Sequence, residues 1–97
     1  PIITNNETIR LFVDRQRNVY VSDFYNHRVM KWNEGAKEGI VVAGGQREGS
    51  ALTQLYYPEG LFVDTLGRLY VAEEGNHRVL RWTQGANQGT VIVGGNG

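Results

Sequence analysis

With 97 residues the chain has room for one small domain, and ten Lys and Arg against ten Asp and Glu leave no net charge to draw a polyanion, which argues against a dedicated nucleic-acid binder. The absence of cysteine excludes disulfides and thiolate-bound zinc as staples, and no apolar run reaches the ~18 residues of a membrane span. A domain of this size hides only somewhat over ~60% of its unfolded surface, so very regular packing or assembly has to supply the remaining stability.

Residues 1–8 read as a lead-in linker. The opening PIITNNETIR has neither the basic start nor the apolar middle of a signal peptide, so the expectation is a soluble chain or a piece of a longer one. From Arg10 onward, short apolar runs broken by turn residues predict an all-β fold.

The dominant feature is a duplication. YVSDFYNHRVMKW, Tyr20 to Trp32, returns as YVAEEGNHRVLRW, Tyr70 to Trp82, at a constant offset of fifty positions. The match runs outward without a gap, from LFVD (Leu11–Asp14 and Leu61–Asp64) to the glycine pairs ending at Gly45 and Gly95. Such a repeat marks a unit that cannot bury its own apolar face and needs neighbours.

Four strands are predicted per copy. The first, LFVD, ends on an aspartate suited to opening a tight turn; Gly67 supplies a permissive φ in the second copy, whereas Arg17 stands there in the first, predicting a different or mildly strained turn. The second is VYVS (Val19–Ser22) or LYVA (Leu69–Ala72), rich in residues favoured on a pleated surface. The turns DFYN and EEGN follow, with Asn26 and Asn76 expected to take the left-handed backbone. In the third strand, alternation places Arg28, Met30 and Trp32 on one face and His27, Val29 and Lys31 on the other. Bulk on both faces fits a strand packed between two neighbouring sheets, with Arg and Lys stems lying over apolar surface. The loops EGAKEG and QGANQG lead to a fourth strand, IVVAGG or TVIVGG. The connector from Gln46 to Tyr57 exceeds the usual ~4–6 residues, a length typical of binding loops.

Four-stranded units repeated at ~40–50 residues are the signature of a β-propeller. The order P-x-G-L-x-V-D, L-Y-V-A-E, N-H-R-V in Pro58 to Val79 resembles the NHL repeat, and the resemblance covers nearly the whole chain. It implies two four-stranded antiparallel blades, residues 9–45 and 59–97, joined by a connector at 46–58. The first copy departs from the pattern at Thr8, Ile9 and Arg10, which replace Pro58, Glu59 and Gly60.

The resemblance also implies a six-bladed ring, of which this chain holds two blades. Two blades alone expose a sheet face at each end. Head-to-tail packing of the second blade on the first blade of another copy is a heterologous contact that closes when the rotation fits, so a homotrimer is expected. The module, natural or engineered, then serves as a non-catalytic scaffold or interaction domain.

His27 and His77 sit at equivalent positions beside turns, an arrangement expected for structural imidazoles; zinc would need three or four converging ligands. No serine or cysteine accompanies them in the repeat, so neither a catalytic residue nor a cofactor is expected. Asp14 and Asp64 are candidate channel-lining carboxylates, able to form an acidic ring in an assembly; alternatively each caps its own turn. Asp23 and Glu73 are expected to pair locally, with main chain or with Arg28 and Arg78, and Trp32 and Trp82 to pack between blades. Where the copies differ, Phe24 and Tyr25 facing Glu74 and Gly75, together with Gln46, Arg47, Tyr56 and Tyr57 of the connector, form a candidate rim for a protein or sugar partner. Tyr56 and Tyr57 also suit packing between blades. Two other functions stay open: an excerpt of a larger NHL propeller binding protein or RNA, and a fragment of a metal-dependent lyase resembling those that act on peptidyl-hydroxyglycine.

Overall fold

Both copies turn at the same places for the same local reasons. The Asp14 carbonyl accepts the Arg17 N–H, and the Asp64 carbonyl the Gly67 N–H, each at 3.0 Å. Arg17 therefore adopts φ 68° beside the φ 80° of Gly67: the first copy keeps the turn and carries the strain of a side chain in the left-handed region. A computed structural model describes residues 10–45 and 49–94 of the chain. The strands are β1 (Arg10–Val13), β2 (Val19–Asp23), β3 (Arg28–Trp32), β4 (Ile40–Gly44), β5 (Pro58–Val63), β6 (Leu69–Glu73), β7 (Arg78–Trp82) and β8 (Thr90–Gly94).

These strands make two antiparallel four-stranded meanders, β1-β2-β3-β4 and β5-β6-β7-β8, with neighbours in space following chain order. They are the two blades, hereafter blade 1 and blade 2. Pro58 belongs to β5, paired with Glu73, and so starts blade 2 one residue before the expected boundary. The linker at 1–8 lies outside the described residues. In both blades the outer pair carries a register shift at the same place, between Val29 and Met30 and between Val79 and Leu80.

One expectation is corrected at the corner between the second and third strands. The left-handed residue is His27 (φ 54°) in blade 1 and His77 (φ 51°) in blade 2, one position after the asparagines. In blade 1, Phe24–Asn26 form a 3₁₀ turn closed by the His27 N–H on the Phe24 carbonyl, which carries Asn26 in right-handed backbone and leaves the reversal to the next residue. The asparagines serve instead through their side chains: Asn26 donates to both oxygens of Asp23, and Asn76 to Glu73.

The core lies between the blades. Strand register puts Phe12, Tyr20, Lys31, Ser22, Val29 and Ala43 on one face of blade 1. The facing side of blade 2 presents Leu61, Val63, Leu69, Val71, Leu80 and Trp82. Val29, Val71 and Leu80 are fully buried there, as is Leu55 of the connector. The Trp82 indole N–H donates to the Ala86 carbonyl at 3.0 Å, satisfying the one polar group of that ring. The Lys31 Nζ sits over the Tyr20 ring, 5.4 Å from its centre, a cation–π contact.

Candidate interaction surfaces

Each blade packs one face against the other blade, and the offset of fifty makes the outward faces counterparts of the packed ones; the outward face of blade 1 is exposed at Leu11 and Val13, while Val21 on it is 3% exposed. The outer side of blade 1 carries Leu11, Val13, Val21, Met30 and Trp32, equivalent to the blade 2 residues Leu61, Val63, Val71, Leu80 and Trp82 of the core. Val13 is 55% exposed whereas its counterpart Val63 is 6% exposed. The outer side of blade 2 carries Phe62, Tyr70, Ala72, Val79 and Val93, equivalent to the blade 1 residues of the core. Phe62 is 54% exposed, and Val93 is 61% exposed against 3% for its counterpart Ala43. Gly60, Leu61, Phe62, Tyr70, Ala72 and Val79 line a shallow groove on that side. Single exposed apolar residues are ordinary; a whole sheet face of them marks an interaction surface.

The innermost strands meet at their edges. Phe12 and Phe62 contact edge-to-face with ring centres 5.3 Å apart. At the ends of these strands the two aspartates flank one groove, lined by Phe12, Val13, Asp14, Val63 and Asp64 among others. The structure thus brings Asp14 and Asp64 to the same end, but their oxygens are engaged by their own turns. Asp64 accepts the N–H groups of Leu66 and Arg68, the Arg68 guanidinium at 2.7 Å and the Tyr70 hydroxyl at 3.1 Å. Desolvation pushes its pKa up, and these donors together outweigh that push and bring it down to about 2. Asp14 is likewise lowered: desolvation raises it, and the Asn18 main-chain and side-chain donors at 2.9 and 3.2 Å prevail. Both residues are turn caps.

Asp23 and Glu73 pair as expected with Arg28 and Arg78. The Glu73–Arg78 pair is almost fully buried and does more than pair. Arg78 Nη1 donates to the Ser50 carbonyl at 3.0 Å, and Nη2 to those of Ala51 and Gln54 at 3.3 and 3.5 Å. Asn76 donates to the Gly49 carbonyl, and Glu73 accepts the Tyr56 N–H, both at 2.9 Å. This grip on the connector was not legible in the sequence, because its partners are main-chain atoms that no residue type announces; the recurrence of Asn-His-Arg was the only signal.

At the rim, the aromatic candidates come together. Phe24 and Tyr57 have ring centres 4.6 Å apart, Tyr56 and Tyr57 5.1 Å, and Tyr25 and Tyr57 6.2 Å. Tyr57 has φ 53°, and its N–H donates to His27 Nδ1 at 2.9 Å, so the connector is tied to the first blade's corner. Its carbonyl accepts the Glu74 N–H at 2.9 Å, tying it to the second. Phe24 is buried in this cluster, Tyr25 is 48% exposed and Glu74 is exposed. Tyr56 and Tyr57 therefore bridge the blades, while Tyr25 and Glu74 face outward; Gln46 and Arg47 lie outside the described residues. Among the described residues no group of three or more His, Cys, Asp or Glu is gathered as a metal would require, and His27 and His77 act at separate corners.

No curated protein matches the chain. A family model described as NHL repeat matches residues 55–82, from the buried Leu55 through β5, β6 and β7. That span contains the turn-capping aspartate, the left-handed histidine and the Glu73–Asn76–Arg78 grip, so the stretch of blade 2 that is similar to an NHL repeat is the one that carries its distinctive contacts.

Proposed function

We propose that the chain is a non-catalytic propeller module that assembles head-to-tail, the open face of blade 2 covering the open face of blade 1 of another copy, until the ring closes. Three copies give six blades, within the usual range of propellers. The assembled disk serves as a scaffold, with Tyr25 and Glu74 on a rim available to a protein or sugar partner. One observation carries this reading: the two open faces present counterparts of the residues that already pack against each other within the chain. An interface between copies would repeat a packing that the molecule makes once. The NHL repeat supports the same reading, as a propeller-type module for protein interaction.

Two variants test it by poisoning one face each: Val13→Glu on blade 1 and Phe62→Glu on blade 2. In sedimentation velocity, each alone should be monomeric, because one charged residue per contact blocks chain growth in a heterologous assembly. Mixed together they should form a heterodimer, joining the intact blade 2 of the first to the intact blade 1 of the second. Self-association of either variant, or a mixture that stays monomeric, contradicts the head-to-tail interface.

A further inference from the structure

The tyrosine at the same place in each blade meets different company. Tyr70, near the start of β6, donates its hydroxyl to Asp64 at 3.1 Å, beside the Arg68 guanidinium on the same carboxylate. In blade 1 Asn18 stands in the place of Arg68, and its main-chain and side-chain N–H groups occupy both oxygens of Asp14, at 2.9 and 3.2 Å. Tyr20 is left without that acceptor: it is 6% exposed, and its hydroxyl makes no hydrogen bond among the described residues. A buried hydroxyl without a partner is costly, and a cleft that admits one removes the cost. Tyr20 lines such a cleft, of about 290 Å³, at the seam between the blades where the turns after β1 and β5 meet. Lys31, the cross-strand neighbour of Tyr20, lines it too and makes no ion pair among the described residues. Gln16, Thr65 and Gln84 add side chains that likewise make no hydrogen bond among the described residues.

We propose that this cleft binds a small carboxylate, held by the Lys31 ammonium and the Tyr20 hydroxyl, with the Gln16 and Gln84 amides beside them. The class of ligand follows from what is unpaired. An ammonium offers three donors and no acceptor, and the phenol beside it has a donor to place, so the pair calls for an acceptor and the cation for a negative one. The resident anion, Asp14, is already engaged by Asn18 within its own turn. A sugar fits less well, because Tyr20 is too buried to offer its ring face and Lys31 sits over that ring. At about 290 Å³ the cleft is at the lower end of ligand pockets, which suits a small acid. The site lies within one chain, between faces that already pack on each other, so it stands or falls independently of assembly between copies.

Nuclear magnetic resonance on the full chain tests it, by titration with sodium acetate at an ionic strength held constant with sodium chloride, and with acetamide as a neutral probe of the same shape. Acetate should shift the Tyr20, Lys31 and Gln84 signals saturably, with a Kd of roughly millimolar order for so small a probe, and acetamide should leave them in place. Tyr20→Phe keeps the ring and Lys31→Met keeps the stem; each should weaken acetate binding at least about tenfold, as expected from losing a hydrogen bond to a charged group. Tyr20→Phe should also unfold at a urea midpoint no lower than that of wild type, since the hydroxyl it removes has no partner. No saturable shift with acetate, an equal response to acetamide, or unchanged affinity in Tyr20→Phe overturns the proposal. A lowered midpoint in Tyr20→Phe reveals a hydroxyl already bonded and overturns it too. Should Lys31→Met loosen all of blade 1, Tyr20→Phe decides alone. Sedimentation of the same samples reports assembly separately.

Discussion

Asp64 shows how much of this fold is written in single side chains. Its carboxylate accepts from two amides, a guanidinium and a phenol, which holds it ionised well below the ordinary aspartate value. Because the folded-state pKa lies below the unfolded one, the charged form stabilises the fold. That contribution is complete above about pH 4 and is lost as the pH falls toward 2. Urea midpoints measured from pH 5 to pH 2 should therefore drop for wild type, and the drop should shrink in Asp64→Asn, which does not titrate. Arg78 is the more expensive residue to lose. Its removal leaves Glu73, at 2% exposure, without its cationic partner, and strips the donors from the Ser50, Ala51 and Gln54 carbonyls. Arg78→Met should cost about 3–5 kcal/mol in chemical denaturation, the range for breaking one side of a buried pair. Arg28→Met, on a guanidinium that is about one-third exposed, should cost clearly less.

At the scale of the strand and its corners, the reading from sequence succeeded where periodicity was the cause. Alternation placed Val29 and Lys31 opposite Met30 and Trp32, and the register shows that division in both blades. The aspartate turns and the Asp23–Arg28 and Glu73–Arg78 pairs were legible because each uses residues a few positions apart. The corner misled, since a preference for asparagine in left-handed backbone is only a tendency. The 3₁₀ turn displaced the reversal onto His27, whose carbonyl then accepts the Gly45 N–H at 3.1 Å. The connector's route was not legible either, being fixed by main-chain bonds to Glu73, Asn76 and Arg78 and by the burial of Leu55. This corner makes its own prediction. Gly44 has φ 69°, and an added Cβ would lie 2.5 Å from the His27 carbonyl oxygen and 2.9 Å from the Leu55 side chain. Gly44→Ala should destabilise the chain by about 1–3 kcal/mol in urea titration, the cost of strained backbone, with more to come from the displaced Leu55.

Over the whole molecule, what decides behaviour is that two blades stack through one face each and leave apolar side chains exposed on the equivalent faces, Leu11 and Val13 on blade 1 and Phe62 and Val93 on blade 2. The chemistry of those faces sets the expected response to salt. Within the chain, Arg10 and Glu59 make an exposed ion pair across the blades at 3.3 Å, but Gly60 occupies the place of Arg10 in blade 2, so a contact between copies lacks its counterpart. Assembly driven by Val13, Trp32, Phe62 and Val93 should accordingly hold or strengthen between 0.05 and about 1 M salt, since screening weakens ion pairs and leaves apolar burial intact. Concentration-dependent sedimentation at the two ionic strengths checks this. The most direct test of the central claim is the solution mass of the unmodified chain by light scattering at micromolar concentration. A closed ring of three copies gives about 33 kDa, three times the 10.9 kDa chain, unchanged on further concentration. A well-folded particle at the mass of one chain would contradict it.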